Sequence, residues 1–348
     1  YCPGGPEEDV PQSYTGKEPA ARRAIQYGFD PYLQATFRLK QLSDIGHPID
    51  KTELIAMGGT LTSQCLDYQD WFIKKCIQAM NDFHENREKI RGEGEDGFIA
   101  RYREGGKEFI YTSDVQAQNE DAQVRCVGLT FEPRPDWCRR EQIDFMRTFG
   151  VTRVELGVQN PDDRVYELID RGHTVKDVAD STRECRDSGL KVGYHMMPGL
   201  LGHDPEGDIK AFEKIIDEPD FRPDMIKIYP AIVMENTDYY KKYVSGDYTP
   251  ITTHQAVELI SRLKTMLPKW MRTMRVMRDI PSNLVAAGIK SSNLGQLVSE
   301  HMKEEGMECQ CIRCREVGQR MKEGVKPNIA DINLNRTTYN ASGGVEEF

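Results

Sequence analysis

Residues 53–60 read ELIAMGGT, and this stretch decides the fold that the sequence predicts. A short apolar run that ends in paired glycines is typical of a β-strand whose carboxyl end lets a ligand approach the backbone, although a Gly-Gly turn is more often only a tight connection. Further short apolar runs alternate with longer amphipathic segments, at residues 124–131, 153–157, 191–195 and 225–229. Strand-helix alternation predicts an α/β fold with parallel strands and right-handed crossovers, either as a barrel or as an open sheet. Five strands are too few for an eight-fold barrel, so a partial (β/α) barrel fits better.

The composition indicates a globular protein of the cytosol. The chain has 348 residues, of which 38% are hydrophobic and 29% charged, enough to bury a sizeable core. No apolar run approaches the roughly 18 residues that cross a bilayer, and no basic segment precedes a short apolar run in the manner of a secretory signal. The nine cysteines mostly stand alone, which favours a reducing compartment, so we expect a cytoplasmic protein without membrane contact. The formal net charge of −10 argues against indiscriminate nucleic-acid binding but allows a local basic groove.

Polar residues or glycines stand at the carboxyl ends of the first four predicted strands. In chain order they are Gly58, Gly59 and Thr60, then Glu132, then Gln159, then His195 with Met196. Parallel strands end at the same edge of a sheet or barrel, where α/β proteins build their ligand sites. Taken singly, Glu132 also fits a surface carboxylate and His195 a core histidine. The recurrence of the feature at four strand ends predicts one shared ligand site.

A compact cysteine run follows the predicted helix at residues 294–305. Cys309, Cys311 and Cys314 form a C-x-C-x-x-C pattern. Three thiolates this close in sequence suit a soft metal better than a packed core, and zinc is the usual choice. A tetrahedral site needs a fourth ligand, for which His301 is one candidate, although a solvated helix residue is an equally good interpretation of it.

Ten stretches together resemble one enzyme family and cover almost the whole chain. In chain order they are YCPGGPE, PQSYTGKEP, DPYLQ, IGHPIDKTELIAMGGT, RVELGVQ, RGHTV, YHMMPGL, FRPDMIKIYP, MRDIPSNL and CIRCREVG. The family is the catalytic subunit of Elongator with its bacterial and archaeal homologues, a branch of the radical S-adenosylmethionine (SAM) enzymes. The resemblance implies a tRNA-modifying enzyme that joins a radical-SAM barrel to a C-terminal acetyltransferase domain. It further implies that acetyl-CoA is used to carboxymethylate C5 of the wobble uridine.

The resemblance also implies roles for single residues. Radical-SAM enzymes hold a [4Fe–4S] cluster with three cysteines, and SAM occupies the remaining iron. Cys2 matches the last of those cysteines, and residues 58–60 match the turn that contacts the amino group of SAM. Glu132 and Gln159 match strand ends that face the bound nucleoside, with His195 and Met196 on the next strand. By position alone, Lys227 and Tyr229 at a fifth strand end are the predicted catalytic residues, facing the acetyl group or the RNA.

Seven basic residues are the candidate contacts of a tRNA, and a solvated surface is an equally good interpretation of them. They are Arg22, Arg23, Lys264, Lys269, Arg272, Arg275 and Arg278. A homo-oligomer or an Elongator-type complex is the assembly that the resemblance allows.

The resemblance divides the chain into three parts. We expect the partial barrel over residues 1–267, a basic segment, helix and zinc-binding linker over residues 268–330, and the start of an acetyltransferase domain over residues 331–348. Two further cluster cysteines would precede Cys2, so the chain looks like a portion of a longer protein and we expect it to be inactive alone. The alternatives are a non-catalytic, zinc-stabilised tRNA-binding or assembly module, and a radical-SAM oxidase of the coproporphyrinogen type.

Overall fold

A computed structural model of the chain describes residues 14–105 and 110–348. These residues form two compact units, each of which draws on two parts of the sequence. The N-terminal unit holds the described residues up to Phe131 together with Asp144–Thr152, and the C-terminal unit holds Glu132–Ile143 and Arg153–Phe348. Within the described residues, no helix combines the length and the hydropathy that a membrane span requires.

The N-terminal unit contains two parallel strands, β1 (Lys51–Ala56) and β2 (Arg125–Phe131). Its helices are α1 (Pro19–Gln26), α2 (Pro31–Asp44), α3 (Leu66–Asn81), α4 (Phe83–Glu104) and α5 (Thr112–Glu120). Helix α2 begins where the Asp30 side chain accepts a hydrogen bond from the Leu33 N–H and Pro31 occupies the first turn. Aromatic residues of α4 pack on α2, where the Tyr102 ring stacks on Tyr32 with centroids 4.8 Å apart. That packing explains why α4 is helical although its sequence is rich in glycine and acidic residues.

The C-terminal unit contains eight strands. In chain order they are β3 (Arg153–Gln159), β4 (Lys191–Met196), β5 (Met225–Ile228), β6 (Val233–Met234), β7 (Arg272–Val276), β8 (Val285–Ala287), β9 (Thr338–Ala341) and β10 (Gly344–Glu347). Strands β3, β4, β5 and β7 are neighbours in that order and all parallel. Strand β6 pairs antiparallel with β8, and β9 pairs antiparallel with β10.

Helices cover the parallel strands of this unit. Helix α6 (Arg140–Thr148) is divided between the two units, and the others are α7 (Asp163–Leu168), α8 (Val175–Asp187), α9 (Pro205–Asp217), α10 (Asp238–Ser245), α11 (Thr253–Met266), α12 (Leu294–Glu304), α13 (Ile312–Arg315) and α14 (Val317–Lys322). Side chains alternate between the two faces of a strand. On β3 the apolar Val154, Leu156 and Val158 are fully buried, while Arg153 and Glu155 lie on the opposite face. One face of the strands therefore packs in the core, and the other carries charge.

Strand β7 lies beyond residue 267, where the sequence places the end of the barrel. Residues 272–276 read RTMRV, and the two arginines make this segment unlike a buried strand in sequence. In the structure it pairs with β5, with Arg272 opposite Met225 at the start of the pairing. The last described residues also pack in the same unit. The Tyr339 ring stacks on Trp270 with centroids 4.2 Å apart, and Glu346 forms a 3.1 Å ion pair with Arg186. Strands β9 and β10, which lie within residues 331–348, therefore pack in this unit.

Candidate functional site

A cluster of charged side chains lies on the polar face of strands β3, β4 and β5. Lys227 on β5 places its Nζ 2.8 Å from Glu132 Oε1 and forms a second ion pair with Glu155 on β3. His195 on β4 lies in register with Lys227, and its Nε2 is 2.8 Å from Glu155 Oε2. The sequence predicts Glu132, His195 and Lys227 at strand ends, and the structure brings them together around Glu155. A Cβ at Gly193, opposite Glu155, would lie 3.2 Å from Glu155 Cγ, so the glycine leaves room for the carboxylate.

The charges of this cluster determine its protonation. Glu155 is only 1% exposed. Burial raises the pKa of its carboxyl, but the hydrogen bond from His195 and the charge of Lys227 outweigh burial and hold the pKa at about 2. Burial lowers the pKa of Lys227, but the charges of Glu132 and Glu155 outweigh it and raise that pKa above its ordinary value. Arg153 adds a second cation, with its Nε 3.3 Å from Glu155 Oε1. At neutral pH the cluster therefore holds an ionised Glu155 and a protonated Lys227.

Tyr229, the second predicted catalytic residue, packs beside this cluster. Its ring lies edge-on to the His195 ring with centroids 5.5 Å apart. Burial raises the pKa of the Tyr229 phenol, so the hydroxyl stays protonated at neutral pH. The Arg278 guanidinium carbon lies 6.0 Å from the centroid of the Tyr229 ring. A phenol donor and a guanidinium therefore accompany the charged cluster.

Strand β3 ends in a conformation that few side chains adopt. Gln159 has φ 67° and is 7% exposed, and its carbonyl accepts a 2.7 Å hydrogen bond from the Met197 N–H. A strained residue at a strand end is typical of a functional site. Met196, in contrast, is 1% exposed. Because neighbouring side chains on a strand point to opposite faces, Met196 packs in the core and not beside His195.

Arg171 reaches the polar face of β3 although it does not stand at a strand end, so the sequence analysis does not predict it. It follows α7, and its Nη2 donates a 2.8 Å hydrogen bond to the Gly157 carbonyl. A Cβ at Gly157 would lie 2.5 Å from that Nη2, so only a glycine admits the guanidinium on the polar face of β3. The signal in the sequence is the glycine itself. Gly157 stands between Glu155 and Gln159 on the polar face of β3 and has no side chain there. A missing side chain on such a face indicates that a group from another element occupies the space.

The Gly58-Gly59-Thr60 turn belongs to the N-terminal unit. All three residues have positive φ, 101°, 48° and 56°, which for the β-branched Thr60 is a strained conformation. The two glycines line a cavity of about 730 Å³, and Arg23 and Arg38 line the same cavity. Burial and the neighbouring charge of Arg38 lower the pKa of Arg23. Arg23 therefore lies in the wall of this cavity, whereas Arg22 is exposed. Cys2, the predicted cluster ligand, lies outside the described residues.

The three clustered cysteines meet as the sequence predicts. One sulfur from each of Cys309, Cys311 and Cys314 lies within 4.8 Å of the others. Hydrogen bonds from the thiols of Cys309 and Cys314 lower the pKa of Cys311. The hydrogen bonds of the Cys309 thiol with Cys311 and Cys314 raise the pKa of Cys309. Three soft donors, one of them readily ionised, fit a metal site. Among residues 14–105 and 110–348, no fourth ligand joins this group, and His301 is not part of it.

The predicted RNA contacts differ in how available their side chains are. Arg272 forms a 2.7 Å ion pair with Glu316, and Arg275 pairs with Asp279. Lys264 is 7% exposed, and a buried ammonium presents little of itself to an RNA backbone. Lys269 is exposed, like Arg22.

Family models place the chain in a known class. The model of the Radical SAM superfamily matches residues 39–215, and that of the Radical SAM C-terminal domain matches residues 223–304. The chain is therefore a radical-SAM protein, a membership that implies a [4Fe–4S] cluster and SAM as cofactors.

Comparison with single proteins gives the family. The chain is 47% identical to a tRNA uridine(34) acetyltransferase of Methanocaldococcus jannaschii, over 100% of this chain and 61% of that protein. It is 42% identical to the protein of that name in Dehalococcoides mccartyi, over 100% and 70%, and 39% identical to human Elongator complex protein 3, over 100% and 60%. The structure of archaeal Methanocaldococcus infernus Elp3 with an N-terminal deletion (1–46) superposes with a TM-score of 0.84 at 44% identity, covering 93% of this chain and 71% of that one.

The chain belongs to the family of Elongator complex protein 3 and the tRNA uridine(34) acetyltransferases, as the motifs predict. That structural match, together with the parallel strands of both units, confirms the α/β fold of the partial radical-SAM barrel. The chain spans about three fifths of the length of the Methanocaldococcus jannaschii relative, 61%.

Proposed function

We propose that this chain is the radical-SAM portion of an enzyme that modifies uridine 34 of tRNA, and that the whole protein uses acetyl-CoA to build a carboxymethyl group on C5 of that base. Family membership supports the reaction type. The buried cluster of Glu132, Glu155, His195 and Lys227 is the observation that carries the proposal, because charged groups are buried at such cost only when they pair or act on a substrate.

Each unit by itself holds candidate contacts of the cofactor. Cys2 would be one of the three cluster ligands. The Gly58-Gly59-Thr60 turn would receive the amino group of SAM, since glycines let a ligand contact the backbone. Arg171 is suited to a carboxylate, and Gln159 to the nucleoside hydroxyls. When bound, the cluster and SAM supply a carbon-centred radical, the difficult chemistry that protein side chains cannot perform.

Lys227 would bind a carbonyl oxygen. An ammonium group has three N–H donors, and Glu132 and Glu155 accept two of them. The third is left for an acceptor such as a uracil carbonyl or the carbonyl of an acetyl thioester. The protonated Tyr229 hydroxyl is a second donor at the same strand end. Fixed donors of this kind orient a substrate without reorganisation at the moment of reaction.

Zinc at Cys309, Cys311 and Cys314 would serve structure. Cys311 begins α13, and the Ile312 N–H donates a 2.9 Å hydrogen bond to the Met271 carbonyl just before β7. A metal bound there would hold residues 309–315 against the strand that precedes Arg278. We assign zinc because closely spaced thiolates are the usual ligands of a structural zinc ion.

The tRNA would be bound by exposed basic residues and by Arg278. Arg22 and Lys269 are exposed, and Arg278 lies over Tyr229 beside the charged cluster. Backbone phosphates are the groups such side chains recognise. We include the homo-oligomer or Elongator-type complex in this proposal as the assembly in which the whole protein acts.

Anaerobic reconstitution of the full-length protein tests the proposal. With SAM, a reductant, tRNA and acetyl-CoA, we expect release of 5′-deoxyadenosine and a carboxymethylated uridine on nucleoside analysis. Cys2→Ala should abolish 5′-deoxyadenosine release, while Lys227→Ala should lower nucleoside formation. Full turnover in the Cys2 variant would refute the cluster assignment. Binding of tRNA without any SAM cleavage would instead favour the non-catalytic module.

A further inference from the structure

A second cluster of buried polar side chains lies around His203, in the loops that follow β3 and β4. This residue stands on the loop between β4 and α9, and its side chain is 12% exposed. Its Nε2 lies 3.3 Å from Asp162 Oδ2, and its Nδ1 lies 3.5 Å from Asp208 Oδ1. The Asn160 amide is 2.8 Å from the same Nδ1. The ring therefore contacts the loop that follows β3, through Asn160 and Asp162, and also helix α9, through Asp208.

The partners of His203 are themselves fixed to the strand ends of the candidate site. Asn160 follows Gln159 directly and is 1% exposed. Asp208 is 2% exposed and accepts a 2.7 Å hydrogen bond from the Gly199 N–H in the turn that follows β4. Gly199 has φ 81°, and a Cβ there would lie 3.0 Å from Ile251, so this turn has little freedom.

We propose that His203 is a positioning residue that joins the loop after Gln159 to the loop after His195. Nε2 of the ring faces Asp162, and Nδ1 faces both Asn160 and Asp208, so a single side chain contacts both elements and fixes the spacing of the two strand ends. A direct bond between the strands, from the Met197 N–H to the Gln159 carbonyl, lies at the same place and needs that spacing. The effect on SAM binding rests on the proposed function, whereas the coupling of the two loops does not.

A bond to the Asp162 carboxylate is stronger than a bond between neutral groups, so its loss has a measurable effect on both loops. Removing one such hydrogen bond allows a loop to open about tenfold more often. A residue that only stabilised its own loop would affect residues 197–203 alone. A residue that joins the two loops affects residues 160–163 as well, although those residues are 40 positions away in the chain.

Hydrogen-exchange mass spectrometry of the full-length protein separates these cases. For His203→Ala we expect about tenfold faster exchange in both loops. For Asp162→Asn, which retains His203 and its contact to Asp208, we expect faster exchange in residues 197–203 as well as in residues 160–163, because the bond that joins the two loops is weakened from the other side. His254→Ala is the matched control, since His254 is 82% exposed on α11 of the same unit. It should leave both loops unchanged.

Kinetics give the second measurement. In the reconstituted enzyme, His203→Ala should raise the KM for SAM several-fold with a smaller effect on kcat, because it displaces Gln159 without removing a group that contacts substrate. Faster exchange confined to residues 197–203, or no change in either loop, would overturn the proposal. If His203→Ala does not fold, exchange in Asp162→Asn decides the question. A wild-type protein that fails to cleave SAM would refute the proposed function and leave the exchange result intact.

Discussion

Replacement of Glu155 by Gln tests the electrostatics of the candidate site. The pKa of this carboxyl falls from its ordinary 4.5 to about 2 in the folded protein. A tenfold change in an ionisation constant corresponds to about 1.4 kcal/mol, so the folded state favours the ionised form by about 3 kcal/mol. A glutamine cannot ionise and leaves Lys227 with one carboxylate in a buried place. We therefore expect Glu155→Gln to lower the free energy of unfolding by about 3 kcal/mol at neutral pH.

The pH dependence gives this prediction a sign. A carboxyl whose pKa is depressed by folding contributes its full stabilisation above the unfolded pKa of 4.5 and loses it as the pH falls toward about 2. The difference between wild type and Glu155→Gln should accordingly be larger at pH 6 than at pH 3.5 and shrink further as the pH approaches about 2. Urea unfolding at each pH, with a linear extrapolation to water, measures it.

A matched control uses an exposed ion pair of the same unit. Glu206 lies 3.0 Å from Arg262 with side chains 66% and 52% exposed. Exposed pairs contribute less than about 1 kcal/mol, so Glu206→Gln should have little effect. If Glu155→Gln were no more destabilising than Glu206→Gln, the buried cluster would not be ionised as we describe it.

Three further substitutions test the remaining assignments. Gly157→Ala places a Cβ 2.5 Å from Arg171 Nη2 and must displace the guanidinium, so the KM for SAM should rise about tenfold, and an unchanged KM would remove Arg171 from the site. Lys227→Ala leaves two buried carboxylates without their ammonium, so we expect a loss of about 3 kcal/mol in urea unfolding and at least about a hundredfold slower nucleoside formation. Wild-type stability in that variant would contradict the pairing. A chelator or Cys311→Ser should lower the melting temperature, whereas Cys65→Ser at an exposed cysteine should not; a melting curve indifferent to both treatments of the cluster would exclude a structural metal.

The strands that carry the site were within reach of the sequence, and one of their neighbours was not. Short runs rich in apolar residues predict β1 to β5 because parallel strands of α/β proteins are largely buried. Strand β7 escapes this rule, since two of the five residues of RTMRV are arginines and Arg272 pairs with Glu316. The partner of a charged strand residue is fixed by tertiary contacts, and one sequence does not display them.

The residues of the candidate site likewise include some that the sequence predicts and some that it does not. Glu132, His195 and Lys227 could be predicted because parallel strands end at a common edge. The alternation in β3 places Glu155 on the polar face, but the partners of Glu155 cannot be read from it. They depend on the register of β4, which places Gly193 opposite and His195 within 2.8 Å. Arg171 reaches the same face from a loop, so the gap at Gly157 indicates an incoming group without identifying it as Arg171.

The charge of the cluster limits what it can bind. Besides His195, the cluster holds two carboxylates, Glu132 and Glu155, and two basic side chains, Lys227 and Arg153, lie against them. Such a set receives a neutral group, such as a uracil or an acetyl thioester carbonyl, without leaving a charge unpaired in a buried place. An anion needs additional cations. Arg171 beside Gly157 and Arg278 above Tyr229 lie outside this set and supply them. This pairing fits our proposal of a neutral substrate carbonyl beside Lys227, and the outer arginines fit the carboxylate and phosphate groups of the proposed ligands.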